Sequence, residues 1–126
     1  MLSLPPSIRI YLAKGATDMR KQIDSLASMV EHVLALDPFS GHLFGFCNRA
    51  RNTVKFLYWE ESGYWLMHKR LEKGSFTWPE GDAAAIRLDA VELHALLGGL
   101  DFTAARRRRW FRRKQKLAEP SALHLS

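Results

Sequence analysis

Cysteine is almost absent from this sequence of 126 residues: Cys47 is the single one, which excludes an internal disulfide. No apolar run approaches the roughly 18 residues of a membrane-spanning helix. Residues 1–6 have neither the charged beginning nor the apolar stretch of a secretory signal. The 47% apolar and 25% charged residues are typical of a globular protein. We therefore expect one folded unit in the reducing cytoplasm.

Recognisable catalytic motifs are also missing. The sequence contains no glycine-rich phosphate loop and no nucleophile elbow. Its five histidines are scattered, and none lies at metal-ligand spacing from another histidine or from Cys47. The carboxylates fall at predicted helix starts and turns, apart from Asp24 and Glu31 on the solvated face of the predicted helix, whereas a metal-dependent nuclease needs several that converge. We predict no catalytic residue, no metal and no cofactor, and rank a cryptic nuclease last among the alternatives.

Positive charge is abundant but unevenly placed. Nineteen Lys and Arg against thirteen Asp and Glu give a net charge of +6. Residues 1–103 hold eleven of these basic and twelve of these acidic residues, a net charge of −1, which leaves eight basic and one acidic residue, or +7, for residues 104–126. We predict a folded domain over 1–103 and a basic tail over 104–126 that is disordered or becomes helical on binding. The eight cations of the tail are Arg106, Arg107, Arg108, Arg109, Arg112, Arg113, Lys114 and Lys116.

A cationic tail of this kind is typical of a polyanion-binding arm. Each Lys or Arg that meets a DNA phosphate releases counterions, which gives affinity without sequence preference. Trp110 is predicted either to stack on bases or to dock the tail onto the domain. Membrane binding is disfavoured because Trp110 and Phe111 are few apolar side chains for an interfacial helix. A solubilising end without a partner is the remaining alternative.

Periodicity predicts the elements of the domain. The run Ile8–Leu12 indicates a strand. A helix is predicted from Thr17, capped by Thr17 or Asp18 and ended by Pro38. Its buried stripe would be Met19, Ile23, Leu26, Val30 and Val33.

In the second half of the domain, the sequence predicts strands and a short helix. Residues 43–78 indicate a β-meander with turns at 48–52, 60–63 and 72–74. A second helix is predicted from Asp89, with Glu92 in a capping box, a buried face of Ala90, Leu93 and Leu97, and an end at Gly98-Gly99. The predicted fold is α+β: an antiparallel β-meander of four to six strands, packed by one long N-terminal helix, with a short C-terminal helix and the basic tail.

The lengths of the hairpin loops determine which residues lie opposite each other and therefore which side chains share a face of the sheet. Symmetric loops place Trp59 opposite Tyr64, Lys55 opposite His68, and Phe46 opposite Val54. The predicted core face, which would receive the long helix, holds Phe44, Phe46, Val54, Phe56, Tyr58, Trp65, Met67, Lys69 and Leu71. The other face holds Leu43, Gly45, Cys47, Thr53, Lys55, Leu57, Trp59, Tyr64, Leu66, His68 and Arg70.

The second face has two interpretations. Aromatic rings interleaved with cations suit a nucleic-acid surface. The favoured interpretation is a second core face, covered by the helix at Asp89 or by a partner subunit, with Trp59 and Tyr64 at an interface. A bulge in either hairpin would exchange the two faces.

Four motifs then stand in order along the chain: residues 15–21 (GATDMRK), 37–44 (DPFSGHLF), 55–59 (KFLYW) and 69–79 (KRLEKGSFTWP). Together they resemble the TnpB accessory-protein family of bacterial insertion-sequence-66 elements, which is distinct from the RNA-guided nucleases that share that name. The resemblance covers about Pro5 to Asp101. The tail departs from it, being more basic than is expected of the family, so that DNA contact by the tail is inferred from charge alone.

The resemblance implies an accessory protein, encoded beside a separate transposase and needed with it for efficient transposition. It implies no catalytic residues. We expect a cytoplasmic protein that becomes nucleoid-associated when it binds DNA, the transposase or both, with homo-oligomers left open. A protein-binding adaptor or oligomerisation module without DNA contact is the alternative. Within the domain, the cations expected to contact DNA or transposase are Arg20, Lys21, Lys55, Lys69 and Arg70.

Overall fold

The computed structural model describes residues 5–98, which form a five-stranded mixed sheet with one helix packed on each face. The strand order across the sheet is β4-β3-β2-β1-β5. The α+β class is therefore confirmed. The elements are β1 (Ile10–Ala13), α1 (Ile23–His32), β2 (Leu43–Cys47), β3 (Thr53–Glu60), β4 (Gly63–Arg70), β5 (Ala85–Leu88) and α2 (Ala90–Leu97).

The sheet is not purely antiparallel, and that part of the prediction is wrong. β1 pairs parallel to β2, with Ile10 beside Leu43, and antiparallel to β5. Parallel neighbours need a crossover connection, and α1 supplies it. Only β2, β3 and β4 form the expected antiparallel meander. The ends of β1 and β2 and the start of α1 consequently lie at the same end of the sheet.

α1 is shorter than predicted because its first turn begins at Ile23 rather than at Thr17. The Asp18 carboxylate accepts a hydrogen bond from the Arg20 amide at 2.9 Å, and the Asp18 carbonyl accepts from the Lys21 amide at 3.1 Å. Such local bonds offer the backbone an alternative to the helix. The cap is instead Gln22, in a capping box with Ser25.

The end of α1 also differs from the prediction. Ala35 takes a left-handed conformation with φ of 56°, and the Leu36 amide donates to the Val30 carbonyl at 3.0 Å. The chain therefore leaves the helix before Pro38. As a result, Leu34 is buried where Val33 was expected, and Val33 is 57% exposed.

The predicted register is correct for one hairpin and wrong for the other. β3 and β4 pair as expected, with Lys55 opposite His68. Between β2 and β3, however, Cys47 rather than Phe46 lies opposite Val54. The Asn48 carboxamide oxygen accepts from the amides of Asn52 and Thr53, which shortens the turn by one residue. A shift of one residue turns every β2 side chain to the opposite face.

The register shift exchanges partners between the two cores. α1 packs on the face of Phe44, Phe46 and Leu57, not on the face of Val54 and Phe56. The latter face is instead covered by Leu96 of α2 and by Phe76 and Trp78, which follow β4. Trp65, predicted in the core, is exposed, and its indole nitrogen donates to the Glu60 carboxylate at 2.9 Å. Both faces are thus covered from within the chain.

α2 has the predicted start but a different buried face. The Asp89 side chain accepts from the Glu92 amide at 2.8 Å, and the Glu92 side chain accepts from the Asp89 amide, so the capping box is confirmed. Leu96 and Glu92 are the buried positions, whereas Ala90 is exposed. The helix ends at Gly98 as predicted. The predicted basic tail lies outside the described residues.

Candidate nucleic-acid interface

Most Lys and Arg side chains of residues 5–98 gather at one end of the sheet. This basic end is where β1, β2 and β4 finish and where β3 begins. Its carboxylates include Asp18 and Glu72, together with Glu80 and Asp82 in the segment before the edge strand β5. The cations at this end that reach the surface are Lys14, Arg20, Lys21, Arg49, Arg51, Lys69, Arg70 and Lys73.

Backbone contacts hold the loops of the basic end together. The Thr17 amide donates to the Cys47 carbonyl at 2.7 Å, and the Arg51 guanidinium donates to the Gly15 carbonyl at 3.2 Å. The Phe76 amide in turn donates to the Arg51 carbonyl at 2.6 Å. The loops after β1, β2 and β4 therefore form one continuous surface.

Lys55 lies beneath this surface and not on it. Its side chain is 3% exposed, and its Nζ donates to the carbonyls of Met19 at 2.8 Å and Lys21 at 2.9 Å. The sequence analysis missed this role because it assigned α1 to the other face of the sheet, whereas α1 and its leading loop cover the face of Lys55. Lys55 is thus positioned to anchor the loop rather than to reach a phosphate.

Arg20 and Lys21 lie on the loop that Lys55 anchors. Arg20 is paired with Asp18 through a 2.7 Å contact, and its side chain is 91% exposed. The hydrogen bonds from Arg20 lower the pKa of Asp18 to about 2. Part of the Arg20 charge is therefore neutralised, although the guanidinium remains open to solvent. Lys21 is half-buried.

Lys69 and Arg70 close β4 and point to opposite faces of the sheet. The Lys69 Nζ donates to the Leu97 carbonyl at 2.6 Å, so a cation lies at the negative end of the α2 dipole. The Arg70 guanidinium lies 3.6 Å from the Glu72 carboxylate, and both side chains are exposed. The contact to Leu97 also places the last turn of α2 at the basic end.

Sequence reasoning did not single out Lys14, Arg49, Arg51 and Lys73. Arg49, Arg51 and Lys73 share this end through the antiparallel β2–β3–β4 meander, and the parallel pairing of β1 with β2 adds Lys14. A β–α–β pattern over residues 8–47 was the available signal. The tail cations from Arg106 to Lys116 and the predicted stacking residue Trp110 lie outside residues 5–98.

The predicted interface residues Trp59 and Tyr64 lie at the opposite end of the sheet. Together with Phe39 they form an aromatic patch, in which the Trp59 and Tyr64 ring centroids are 5.0 Å apart and Phe39 lies 4.9 Å from Trp59. Burial and the nearby carboxylates Asp37, Asp24 and Glu31 raise the pKa of Tyr64. Negatively charged side chains therefore surround the aromatic patch, unlike the basic end.

Cys47 is buried, and burial raises the pKa of its thiol despite a hydrogen bond from Arg51. This environment disfavours the thiolate. Among residues 5–98, no three His, Cys, Asp or Glu side chains are placed to hold a metal ion. No helix in this part of the chain is long and apolar enough to cross a membrane.

A family model described as IS66 Orf2-like protein matches residues 8–107. The chain belongs to this family. Membership associates it with insertion-sequence transposition, in an accessory family that is not a known enzyme class. The resemblance inferred from the four motifs is thereby confirmed.

Two relatives from Sinorhizobium fredii match most of the chain. The uncharacterized protein y4hO is 38% identical over 102 residues, which cover 81% of this chain and 89% of the relative. The uncharacterized protein y4jC is 31% identical over 108 residues, 86% of this chain and 92% of the relative. No solved structure gave a significant match.

Proposed function

We propose that this IS66 Orf2-like protein is a non-catalytic accessory factor that binds DNA during transposition of its insertion sequence. The observation that carries the proposal is the basic end: eight surface cations lie at the end of the sheet where α2 finishes, and the arginine-rich residues 106–116 follow α2 in the sequence. Arg20, Lys21, Lys69 and Arg70 from the predicted set are retained, and Lys55 is assigned to support them. The protein would be cytoplasmic and become nucleoid-associated on binding.

Charge on exposed loops and a flanking tail suits phosphate contact rather than base reading. Phosphate contacts fix position and supply affinity but carry no sequence information. The interaction is therefore expected to be weakly specific and to weaken steeply with salt. Any preference for the ends of the insertion sequence would come from the separately encoded transposase, with which the accessory factor would act.

A salt titration of duplex DNA binding by the full chain tests this proposal. Replacing Arg106, Arg107, Arg108 and Arg109 by Gln is expected to reduce the slope of log K against log salt by about 3 to 4, at 0.9 per lost phosphate contact. Within the domain, Arg49→Gln should reduce the slope by about 1. The matched control is Arg9→Gln, an exposed arginine at the other end of the sheet, which should leave the slope unchanged. DNA binding whose salt dependence stays the same in all of these variants would refute the proposal.

A second candidate is a protein-binding adaptor that contacts the transposase without touching DNA. The exposed Phe39 beside Trp59 favours it, because an exposed aromatic cluster marks an interface. Under this alternative the full chain would bind the transposase but not duplex DNA, and Phe39→Ser would weaken the complex. Metal-dependent DNA cleavage abolished by Asp18→Asn would instead overturn the non-catalytic assignment.

A further inference from the structure

Trp65 is a large apolar side chain that faces solvent on the α2 side of the sheet. It is 51% exposed, although it lies directly opposite the buried Tyr58 of β3. Its indole nitrogen donates a hydrogen bond to the Glu60 carboxylate at 2.9 Å. Because the indole N–H lies in the plane of the ring, this bond holds the ring without covering either of its faces. Exposed aromatic surface of this kind marks an interaction site more often than a solvated one.

The path of α2 leaves the corner of the sheet around Trp65 open. α2 is capped by Asp89 and therefore begins at the edge strand β5. It ends near Lys69, four residues further along β4 than Trp65. The helix thus crosses the sheet obliquely, away from the β4 end of one row of paired residues. That row consists of Leu88, Ile10, Leu43, Tyr58 and Trp65.

The outer side of β4 combines this ring with positive charge. Trp65, Met67 and Lys69 alternate along the strand and share its α2 face. Trp65 and Lys69 are about 13 Å apart, at 3.2–3.4 Å per residue. Arg70 and Lys73 follow at the basic end. β4 is also an edge strand, since within residues 5–98 its one strand neighbour is β3. An extended ligand therefore has an open path from the ring to the cations.

A single strand of DNA has the chemistry that fits this path. Its unpaired bases stack on aromatic side chains, while its phosphates meet Lys and Arg. In a duplex the base faces are stacked on one another, so a ring held on a sheet does not reach them without unstacking. The Glu60 carboxylate repels phosphate, which favours a base rather than the backbone at Trp65. A cationic peptide would be repelled by Lys69 and its neighbours at the other end of the path.

We propose that a single strand of DNA lies along β4, with an unpaired base stacked on Trp65 and the phosphate backbone at Lys69. The inference rests on the proposed DNA binding and names the form of DNA that this part of the surface prefers. Duplex DNA is held by the basic end without Trp65. The two forms of DNA therefore differ in their dependence on one side chain.

Binding of single-stranded and duplex DNA by the full chain tests the stacking. The probes are a labelled oligothymidine of about 12 nucleotides and a labelled duplex of about 12 base pairs, followed by fluorescence anisotropy at low salt. Trp65→Ser should lower the affinity for the single strand about 5- to 100-fold. It should change the affinity for the duplex by less than about 2-fold. Trp65→Phe keeps an aromatic face and should lose no more than about 3-fold on the single strand.

Two further variants separate stacking from charge. Phe39→Ser removes a similarly exposed ring, at 58%, from the opposite face and should leave the affinity for the single strand unchanged. Lys69→Gln keeps a donor for the Leu97 carbonyl and should reduce the slope of log K against log salt by about 0.7 on the single strand. Trp65→Ser should leave that slope unchanged, because stacking releases no counterions.

The outcomes distinguish this inference from the proposed function. If the unmodified chain binds neither form of DNA, both are wrong. If it binds DNA, but Trp65→Ser weakens both forms equally or neither, the stacking is wrong and the proposed DNA binding stands. A Trp65→Phe variant as weak on the single strand as Trp65→Ser would also contradict the stacking, since an aromatic face would then be insufficient.

Discussion

The two faces of the sheet are both buried, but they are closed by different means. On the α2 face, the apolar packing is tight: a Cβ on Gly45 would lie 2.5 Å from side-chain atoms of Leu12 and Phe56. On the α1 face, closure includes a buried ammonium, because Lys55 is bonded to two loop carbonyls. Tight apolar contacts around Gly45 therefore close the α2 face, whereas on the α1 face the Lys55 ammonium ties a surface loop to the core.

The largest expected effect tests whether both faces are true cores. Phe46→Ala on the α1 face and Phe56→Ala on the α2 face should each lower the free energy of unfolding by about 3–5 kcal/mol, because each removes a buried ring. Urea denaturation measures both. A loss below about 1 kcal/mol for either would show that its face is not a packed core.

Gly45→Ala tests the tight packing of the α2 face. The added methyl group meets Leu12 and Phe56 at distances that real side chains do not tolerate, so one of them must move. We expect a loss of about 1–3 kcal/mol in the free energy of unfolding. Gly63→Ala is the matched control, since its added Cβ would meet nothing within 4 Å. Equal stabilities of the two variants would contradict the tight packing around Gly45.

Lys55→Met tests the polar closure of the α1 face. The substitution keeps an unbranched side chain as far as Cε but leaves the carbonyls of Met19 and Lys21 without their Nζ donor. We expect a loss of about 1–3 kcal/mol, together with faster amide exchange in the loop over residues 15–22. The exposed Lys14→Met should change the free energy of unfolding by no more than about 0.5 kcal/mol. An unaltered loop in Lys55→Met would disprove the anchoring role.

The smallest effect concerns His42, which precedes β2 on the α1 side. Burial, and then the charges of Arg9 and Arg87, lower the pKa of His42, and its Nδ1 accepts a hydrogen bond from the Arg9 amide at 3.0 Å. The folded state therefore favours neutral imidazole. Its stabilising contribution is present above the unfolded pKa of about 6.5 and is lost as the pH falls through the lower folded pKa.

The pH effect is measured in two ways. Titration by NMR should give a pKa for His42 below 6.5. The free energy of unfolding of His42→Asn should fall less between pH 7 and pH 5 than that of the unmodified chain, because Asn does not titrate in that range. Parallel pH profiles of the two proteins would argue against this assignment.

Much of the fold could be predicted from local signals in the sequence. The capping box of Asp89 and Glu92, the β3–β4 register and the left-handed Gly74 were all readable from spacing and turn chemistry. The start of α1 was missed because Asp18 suits a helix cap and a local turn equally well. In the structure, Asp18 accepts hydrogen bonds from the amide and guanidinium of Arg20, and these bonds stabilise the turn. The turn at Asn48 was predicted one residue too long. The β2 side chains were therefore assigned to the wrong face, and each helix was predicted to pack on the wrong core.

For the candidate site, the sequence by itself determined which charges are available and where they stand along the chain, because composition and order do not depend on folding. The parallel placement of β1 beside β2 was decided only by tertiary structure, since strand pairing depends on contacts between residues distant in sequence. That pairing brings the loop after β1, with Lys14, Arg20 and Lys21, to the end where the β2–β3 turn and the end of β4 already lie, and it places this loop over Lys55.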